Sequence, residues 1–246
     1  MQAPAEGPAV VLEGDETIAR VLVGCPTSFH KEYCFEEYAR AVTSLSFKSY
    51  DVLLVENSPE DTFFKKIKAH KIPVIKGPYF EGARDRIVAS RNLLREKALH
   101  GDYDYLLSLE QDVIPPKDII ELLIRHRKPV VSGVYFNRNV TPDGGVQLIP
   151  LVYALTDKER LTMRPLTFEE LEEPALLPIV SCGLGCVLIH RDVLKEITFR
   201  YALNSFDDRW FCTDLYEKKI PLFCDSSVKC KHFILDRPYQ WRDIKK

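Results

Sequence analysis

The amino-acid sequence predicts an α/β fold with a doubly wound, mostly parallel sheet flanked by helices. Two observations predict this fold: short apolar runs recur along the first half of the chain, and the segments between them are long enough for helices. Such alternation is typical of βαβ units, in which helices cover a parallel sheet. A chain of 246 residues that is 46% hydrophobic can bury one sizeable core.

The apolar runs predict five buried strands, because each run is short, continuous and bounded by polar or turn-forming residues. These strands are expected over residues 21–23, 52–55, 73–75, 105–107 and 129–131. Helices are expected over residues 35–43, 61–68, 84–99 and 117–127. In the helix over 84–99, the spacing places Ile87, Leu94 and Ala98 on the buried face. Its basic residues are expected to reach solvent: Arg86, Arg91 and Arg95.

The alternation stops after Arg138, and this change divides the chain. Residues 1–18 predict a flexible N-terminal arm, because Pro, Gly and acidic residues interrupt any period. Residues 139–178 predict an insertion or lid after the fifth strand, with one strand over 148–155. The flanking segments, 19–138 and 179–246, are expected to form the two halves of one domain, the second with a helix near 209–219.

Composition and charge exclude several classes of partner. Lys and Arg total 34 against 36 Asp and Glu, so the net charge of −2 provides no general attraction for nucleic acid. No stretch approaches the roughly 18 apolar residues of an integral membrane segment. The first nineteen residues contain no Lys or Arg, unlike a secretory leader, and seven cysteines are too few for a disulfide scaffold. We therefore expect a cytoplasmic protein, and peripheral attachment to a membrane stays open.

Polar residues follow the predicted strands, where an open parallel sheet binds its ligands. Glu110 and Asp112 come directly after the fourth strand and, with one residue between them, project the same way from an extended chain. Together with a divalent cation they would suit a diphosphate, although an isolated acidic triplet also fits a solvated strand end. The helix after Gly82 brings basic side chains, which fit either a phosphate or solvent.

Two further candidate groups lie in the second half. Asp207 and Asp208 precede a helix-like run, so they fit either a helix N-terminus or a general base. His232 fits either a structural histidine or a metal ligand. A zinc site with Cys224 and Cys230 is disfavoured, because the spacing lacks a paired CxxC.

The order of these motifs resembles GT-A fold glycosyltransferases, most closely family 2. The resemblance extends over roughly residues 20–235, and in the second half it rests on 181–189, 207–212 and His232. It implies a metal-dependent enzyme of the hexosyltransferase type, which moves a sugar from a nucleoside-diphosphate sugar to a glycan, lipid-linked or protein acceptor. Residues 19–138 would then be the nucleotide-sugar-binding half and 179–246 the acceptor-side half.

The resemblance also implies a role for each motif residue. Donor contacts would come from Pro26, Thr27, Glu56, Asn57, Arg86, Asn92, Glu110 and Gln111. Asp112 and His232 would bind Mn²⁺ or Mg²⁺, and Asp208 would be the general base of an inverting reaction. The acceptor side would contain Gly183, Gly185 and Asp207. The family's usual residues differ at three of these positions, where this chain has Glu56, Glu110 and Asp207.

A non-catalytic protein of the same fold, which binds a sugar nucleotide or glycan without turnover, is the alternative. Release of a nucleoside diphosphate distinguishes the two. A nucleotidyltransferase is disfavoured, because residues 24–30 contain one Gly and no Lys or Arg where that class has a Gly-rich basic loop.

Overall fold

An eight-stranded sheet forms the centre of the molecule in the computed structural model. The structure describes residues 19–140, 143, 145–157, 159, 162–234 and 237–239, and for residues 140, 146 and 237–239 the backbone alone. The predicted arm over 1–18 lies outside the described residues.

Strands and helices alternate through the first half of the chain, as predicted. The strands are β1 Val21–Thr27, β2 Tyr50–Glu56, β3 Val74–Lys76, β4 Tyr105–Leu109, β5 Val113–Ile114, β6 Val130–Val134, β7 Phe136–Val140 and β8 Val146–Pro150. Later strands are β9 Val152–Asp157, β10 Thr162–Pro165, β11 Leu176–Ile179, β12 Ser181–Cys182, β13 Cys186–His190, β14 Leu222–Lys229, β15 Lys231–Ile234 and β16 Arg237–Tyr239. The helices are α1 Phe35–Val42, α2 Thr62–Ala69, α3 Ala83–His100, α4 Ile119–Ile124, α5 Phe168–Glu172, α6 Arg191–Glu196 and α7 Asp207–Glu217. A 3₁₀ helix, Phe29–Cys34, follows β1.

The main sheet is mostly parallel, which confirms the predicted α/β fold class. Its strand order is β11-β14-β6-β13-β4-β1-β2-β3. Strand β1 is parallel to β2 and β4, β2 to β3, and β6 to β14. Strand β13 is antiparallel to both of its neighbours, and the edge strand β11 is antiparallel to β14.

Alternating side chains of β1 divide the core between the two faces of the sheet. Val21 and Val23 pack in a cluster with apolar residues of α1, α2 and α4. Leu22 packs in a second cluster with residues of α3, α6 and α7. Because strand side chains alternate with period two, this division shows that helices cover both faces, as a doubly wound sheet requires.

The pairing of two short strands brings the end of the chain to the end of β4. Strand β15 pairs antiparallel with β5, and His232 lies opposite Val113. The Phe233 N–H donates to the Asp112 carbonyl oxygen at 2.8 Å. This register places His232 beside Asp112, although 119 intervening residues separate them in the sequence.

The segment 139–178 is more structured than a single predicted strand. Two strands, β8 and β9, stand where one strand over 148–155 was predicted. Leu151 separates them, and its N–H donates to the Tyr135 carbonyl oxygen at 3.0 Å. Its last strand, β11, lies at the edge of the main sheet. The division into an insertion and two half-domains stays a prediction. Among the described helices, none has both the length and the apolar character needed to cross a bilayer.

A buried carboxylate in β14 gives a test of the packing between β14 and the segment after α4. The Asp225 side chain is 1% exposed and accepts hydrogen bonds from His126 Nε2 at 2.7 Å and Arg125 Nη2 at 3.0 Å. It also accepts from the Ser227 N–H and hydroxyl at 2.9 and 2.6 Å. Burial opposes the ionised form, but the bonds from Ser227 and His126 lower the pKa of Asp225.

We predict that Asp225→Asn lowers the free energy of unfolding by about 2 kcal/mol near neutral pH, because charge-assisted hydrogen bonds are lost. A carboxylate with a lowered folded pKa adds stability above its unfolded value of about 4, and this stability is lost as pH falls through the folded value. The difference between the two proteins should therefore shrink in acid. Urea unfolding measures it, with the exposed Asp102→Asn as control. Equal stability of both variants contradicts the assignment.

Candidate functional site

The carboxyl ends of β1, β2 and β4 bring several predicted residues together at one edge of the sheet. Thr27, the last residue of β1, lies opposite Glu56, the last residue of β2. The Thr27 hydroxyl donates a hydrogen bond to Gln111 Oε1, just beyond β4. Pro26 precedes Thr27 within β1 and is half-buried. The parallel register of the three strands therefore places this part of the predicted donor site together.

Glu56 and Asn57 are buried and hold the loop after β2. Glu56 Oε1 accepts from the Ser58 N–H at 2.8 Å, and its other oxygen binds Lys76 Nζ at 2.8 Å. The Asn57 amide donates to Ser90 Oγ on α3 at 2.9 Å. Both side chains thus fix the shape of the edge, and their predicted contact with a donor stays a prediction.

Asp112 and His232 form the centre of the site. Asp112 Oδ2 lies 3.4 Å from His232 Nε2, and the same oxygen forms an ion pair with Lys31. His232 Nδ1 is 2.6 Å from the Phe136 carbonyl oxygen, which fixes the orientation of the ring. Burial opposes both shifts, but the interaction of Asp112 with His232 lowers the pKa of Asp112 and raises that of His232.

The pair of Asp112 and His232 fits a divalent cation by its chemistry. Asp112 Oδ1 is buried and has no hydrogen-bond partner among the described residues. A histidine that binds a metal commonly donates its other ring N–H to a carbonyl oxygen, as His232 can to Phe136. The described residues contain no group of three His, Cys, Asp or Glu side chains suited to a metal. Mn²⁺ or Mg²⁺ at this pair would therefore need phosphate oxygens or water as further ligands.

Arg91 connects the end of β4 to the start of α7. Its guanidinium binds Asp207 Oδ2 at 2.5 Å through Nε and Ser108 Oγ at 2.7 Å through Nη1. Its Nη2 binds Glu110. The prediction that Arg91 reaches solvent is wrong, because its side chain is 3% exposed. Two carboxylates and a hydroxyl satisfy the buried charge, which makes the inward position stable.

Asp208 lies next to this ion pair, in the first turn of α7. It is half-buried, and its Oδ1 accepts a hydrogen bond from the Arg209 N–H at 2.6 Å. Burial raises the pKa of Asp208, and the charges of Asp207 and Glu110 add to the shift. Glu110 also contributes to the raised pKa of His232. The charge of Glu110 thus acts on both the Asp208 side and the Asp112 side of the site.

Gly183 and Gly185 lie against a buried tyrosine at the same edge. The Gly185 N–H donates to Tyr135 Oη at 2.9 Å, and the Gly185 carbonyl oxygen accepts from the Glu110 N–H at 3.0 Å. A Cβ at Gly185 would lie 2.7 Å from Tyr135 Oη, and one at Gly183 would clash with the same hydroxyl. Both positions are therefore glycine because the chain passes too close to Tyr135 for a side chain.

The side chains of Arg86 and Asn92 form their described hydrogen bonds with backbone groups. Arg86 Nη1 donates to the carbonyl oxygens of Phe80 and Glu81, the latter at 2.7 Å. The Asn92 side-chain amide donates to the Phe199 carbonyl oxygen at 2.8 Å and accepts from the Phe199 N–H at 3.0 Å. The structure thus shows both residues holding loops, and their donor contacts stay predictions.

A cavity of about 490 Å³ lies along α7, between that helix and strands β9, β10 and β12. Apolar and aromatic side chains predominate in its lining, among them Leu155, Met163, Trp210 and Tyr216. Arg209 and Ser181 add polar groups. Arg209, the residue that follows Asp208 in α7, is part of this lining.

Lys31 is a site residue that the sequence motifs did not indicate. It lies in the 3₁₀ helix Phe29–Cys34, four residues beyond the end of β1. A basic residue shortly after a strand that ends at the ligand-binding edge is the signal that points to it.

Comparisons with known proteins identify the fold. No protein-family model matches the sequence, and no curated protein matches it. The structure of S. aureus TarS 1–349 in complex with UDP-GlcNAc is 15% identical with a TM-score of 0.52, and the match covers 84% of this chain and 56% of that one. TarS 1–349 alone is 16% identical with a TM-score of 0.51, over 84% of this chain and 58% of that one. A197 from STIV is 19% identical with a TM-score of 0.46, over 89% and 87% of the two chains. The chain thus has a GT-A-like α/β fold and spans little more than half of the TarS 1–349 chain.

The buried ion pair of Arg91 provides a test of the site's architecture. We predict that Arg91→Met lowers the free energy of unfolding by about 3–5 kcal/mol, because it leaves the buried Asp207 carboxylate without its cation. The double variant Arg91→Met/Asp207→Asn should recover part of the loss, since it removes the unpaired charge. Urea unfolding measures all variants, and Arg40→Met on the exposed face of α1 is the control. A stability of Arg91→Met equal to that of the control contradicts the assignment.

Proposed function

We propose that this protein is a glycosyltransferase, which moves a sugar of the hexose type from a nucleoside-diphosphate sugar to an acceptor hydroxyl. The observation that carries the proposal is that Arg91 binds both Glu110 and Asp207, which lie two residues before Asp112 and directly before Asp208. Asp112 in turn lies 3.4 Å from His232. The GT-A-like fold, and the UDP-GlcNAc bound by the TarS structure, support a nucleotide sugar as the donor.

The donor's nucleoside would bind at the edge formed by Thr27, Asn57 and Gln111, where polar groups are buried together. Asp112 and His232 would hold Mn²⁺ or Mg²⁺. A bound divalent cation offsets the negative charge that develops on a leaving diphosphate. Asp112 is suited to this role because one carboxylate oxygen is buried without a partner among the described residues.

Asp208 would take the proton of the acceptor hydroxyl. Asp207 is committed to the ion pair with Arg91, whereas Asp208 binds the N–H of its neighbour Arg209 through one oxygen. A raised pKa brings a carboxylate closer to the pH at which a base is most effective. Attack from the side of Asp208, opposite the diphosphate, would invert the configuration of the sugar.

The acceptor would enter from the cavity along α7, whose lining includes Arg209, the residue that follows Asp208. Apolar and aromatic groups predominate in its lining, with polar side chains such as Arg209 and Ser181. Such a surface suits a glycan, a lipid-linked sugar or a protein side chain that presents a hydroxyl. The cavity supports the acceptor side of the proposal because residues of α7, the helix that carries the base, line it.

A panel of nucleotide sugars with Mn²⁺ tests the donor. We expect one donor, with UDP-GlcNAc tested first, to raise the melting temperature, since a ligand at 100 times its Kd stabilises a protein by about 2.7 kcal/mol. Asp112→Ala should lose this response, while the exposed Asp102→Ala retains it. Release of nucleoside diphosphate then separates an enzyme from the non-catalytic binding protein. A donor that binds without ever being turned over contradicts the transferase proposal.

Asp208→Asn tests the base. We predict that it retains donor binding and lowers turnover by a factor of about 100 to 10,000, because the proton acceptor is lost. The wild-type rate should fall as pH decreases through a pKa above the ordinary value of 3.8, since the base must be ionised. Product release over a range of pH measures both effects, with Glu217→Gln at the exposed end of α7 as control. Near-normal turnover of Asp208→Asn removes this residue from the mechanism.

A further inference from the structure

Four carboxylates at the ligand-binding edge of the sheet pair with basic side chains of the protein. Arg91 binds Asp207 and Glu110, Lys76 binds Glu56, and Lys31 binds Asp112. Three basic side chains thus neutralise most of the charge of these four carboxylates, and Lys31 neutralises that of Asp112. A divalent cation at Asp112 would add positive charge where a lysine already provides it.

Lys31 is less constrained than Arg91 and can move away from its carboxylate partner. The Lys31 side chain is 38% exposed, whereas that of Arg91 is 3% exposed and bound on three sides. A lysine ammonium is a compact charge on a flexible stem, so it can turn from one anion to another without a change in the backbone. Asp112 itself is 5% exposed and stays in place, held in position by β5 and its pairing with β15.

Lys31 contacts the oxygen of Asp112 that faces His232. Asp112 Oδ2 forms the ion pair with Lys31 and lies 3.4 Å from His232 Nε2, so both groups meet at one carboxylate oxygen. An ammonium and a divalent cation repel each other strongly when they share a partly buried carboxylate. Binding of one at Asp112 thus weakens binding of the other.

We propose that Lys31 is a tethered competitor of the divalent cation at Asp112. Without a diphosphate, the divalent cation binds weakly, because it must displace the Lys31 ammonium from Asp112 and no phosphate oxygen is there to receive that ammonium. When the cation arrives with a diphosphate, the phosphate oxygens offer Lys31 a new anion, and the two ligands bind cooperatively. This second step rests on the proposed function, whereas the competition at Asp112 does not.

Titration with Mn²⁺ alone tests the competition by calorimetry, without nucleotide or acceptor. We expect Lys31→Met to bind Mn²⁺ about tenfold more tightly than the wild type, which lies within the range typical of coupled sites. Lys31→Arg keeps the charge and should show no gain. Lys48→Met removes an exposed lysine that precedes the amino end of β2, at the opposite edge of the sheet, and should also show no gain.

Equal Mn²⁺ affinities of the wild type and Lys31→Met would overturn the proposal, as would a failure of either protein to bind Mn²⁺. A gain in Lys31→Arg as large as that in Lys31→Met would also overturn it, because charge would then not be the cause. Circular dichroism confirms that each variant is folded, and Lys31→Gln replaces Lys31→Met if the latter does not fold.

A second titration in the presence of saturating UDP tests the displacement of Lys31 onto a diphosphate. UDP should tighten Mn²⁺ binding more in the wild type than in Lys31→Met, since only the wild type gains a partner for the displaced ammonium. An equal effect of UDP in both proteins would overturn this step. Absence of any UDP binding would count against the proposed function, while the titration with Mn²⁺ alone still decides the competition.

Discussion

The buried guanidinium of Arg91 is the constraint on which the site depends. It joins α3 to Glu110 at the end of β4 and to Asp207 at the start of α7, which lies 116 residues further along the chain. A guanidinium with this little exposure is stable only when its charge and its N–H groups are satisfied. The same contacts help to position Asp208, which follows Asp207, and Asp112, which lies two residues after Glu110. The contacts that hold α7 against α3 and β4 therefore also position the site.

The site combines fixed and exchangeable charges. Arg91 and its carboxylates are buried and set the geometry, whereas Lys31 and Asp112 pair through a partly exposed side chain. Preorganised charge lowers the cost of stabilising a developing diphosphate, because little has to move at the moment of reaction. A cation that can be exchanged lets the resting protein neutralise Asp112 before the donor arrives. In the proposed glycosyltransferase, the fixed charges hold the site in shape, and the exchangeable charge of Lys31 responds to the ligand.

The sequence predicted the sheet well because its signals are local. Short apolar runs mark β1 to β4 and β6, and their ends carry Thr27, Glu56 and Glu110 where the structure has them. It did not predict that Arg91 is buried, because an arginine is almost never fully buried unless a partner compensates its charge. The spacing itself places Arg91 on the same helix face as Ile87 and Leu94. The partner of Arg91, Asp207, lies 116 residues away. Nor could it place Lys31 at Asp112, because the contact depends on how the 3₁₀ helix after β1 folds back over the strand ends. The two strands that replace the one over 148–155 reflect the hydrogen bond from the Leu151 N–H to the carbonyl oxygen of Tyr135, a contact that hydrophobic periodicity does not reveal.

Anomalous diffraction from crystals grown with Mn²⁺ and UDP tests the central claim most directly, because it locates the cation and the diphosphate together. The account predicts one manganese peak between Asp112 and His232, with the diphosphate of UDP bound to it and Lys31 moved from Asp112 to a phosphate oxygen. Manganese or nucleotide bound elsewhere, with the Lys31–Asp112 pair intact, would contradict it.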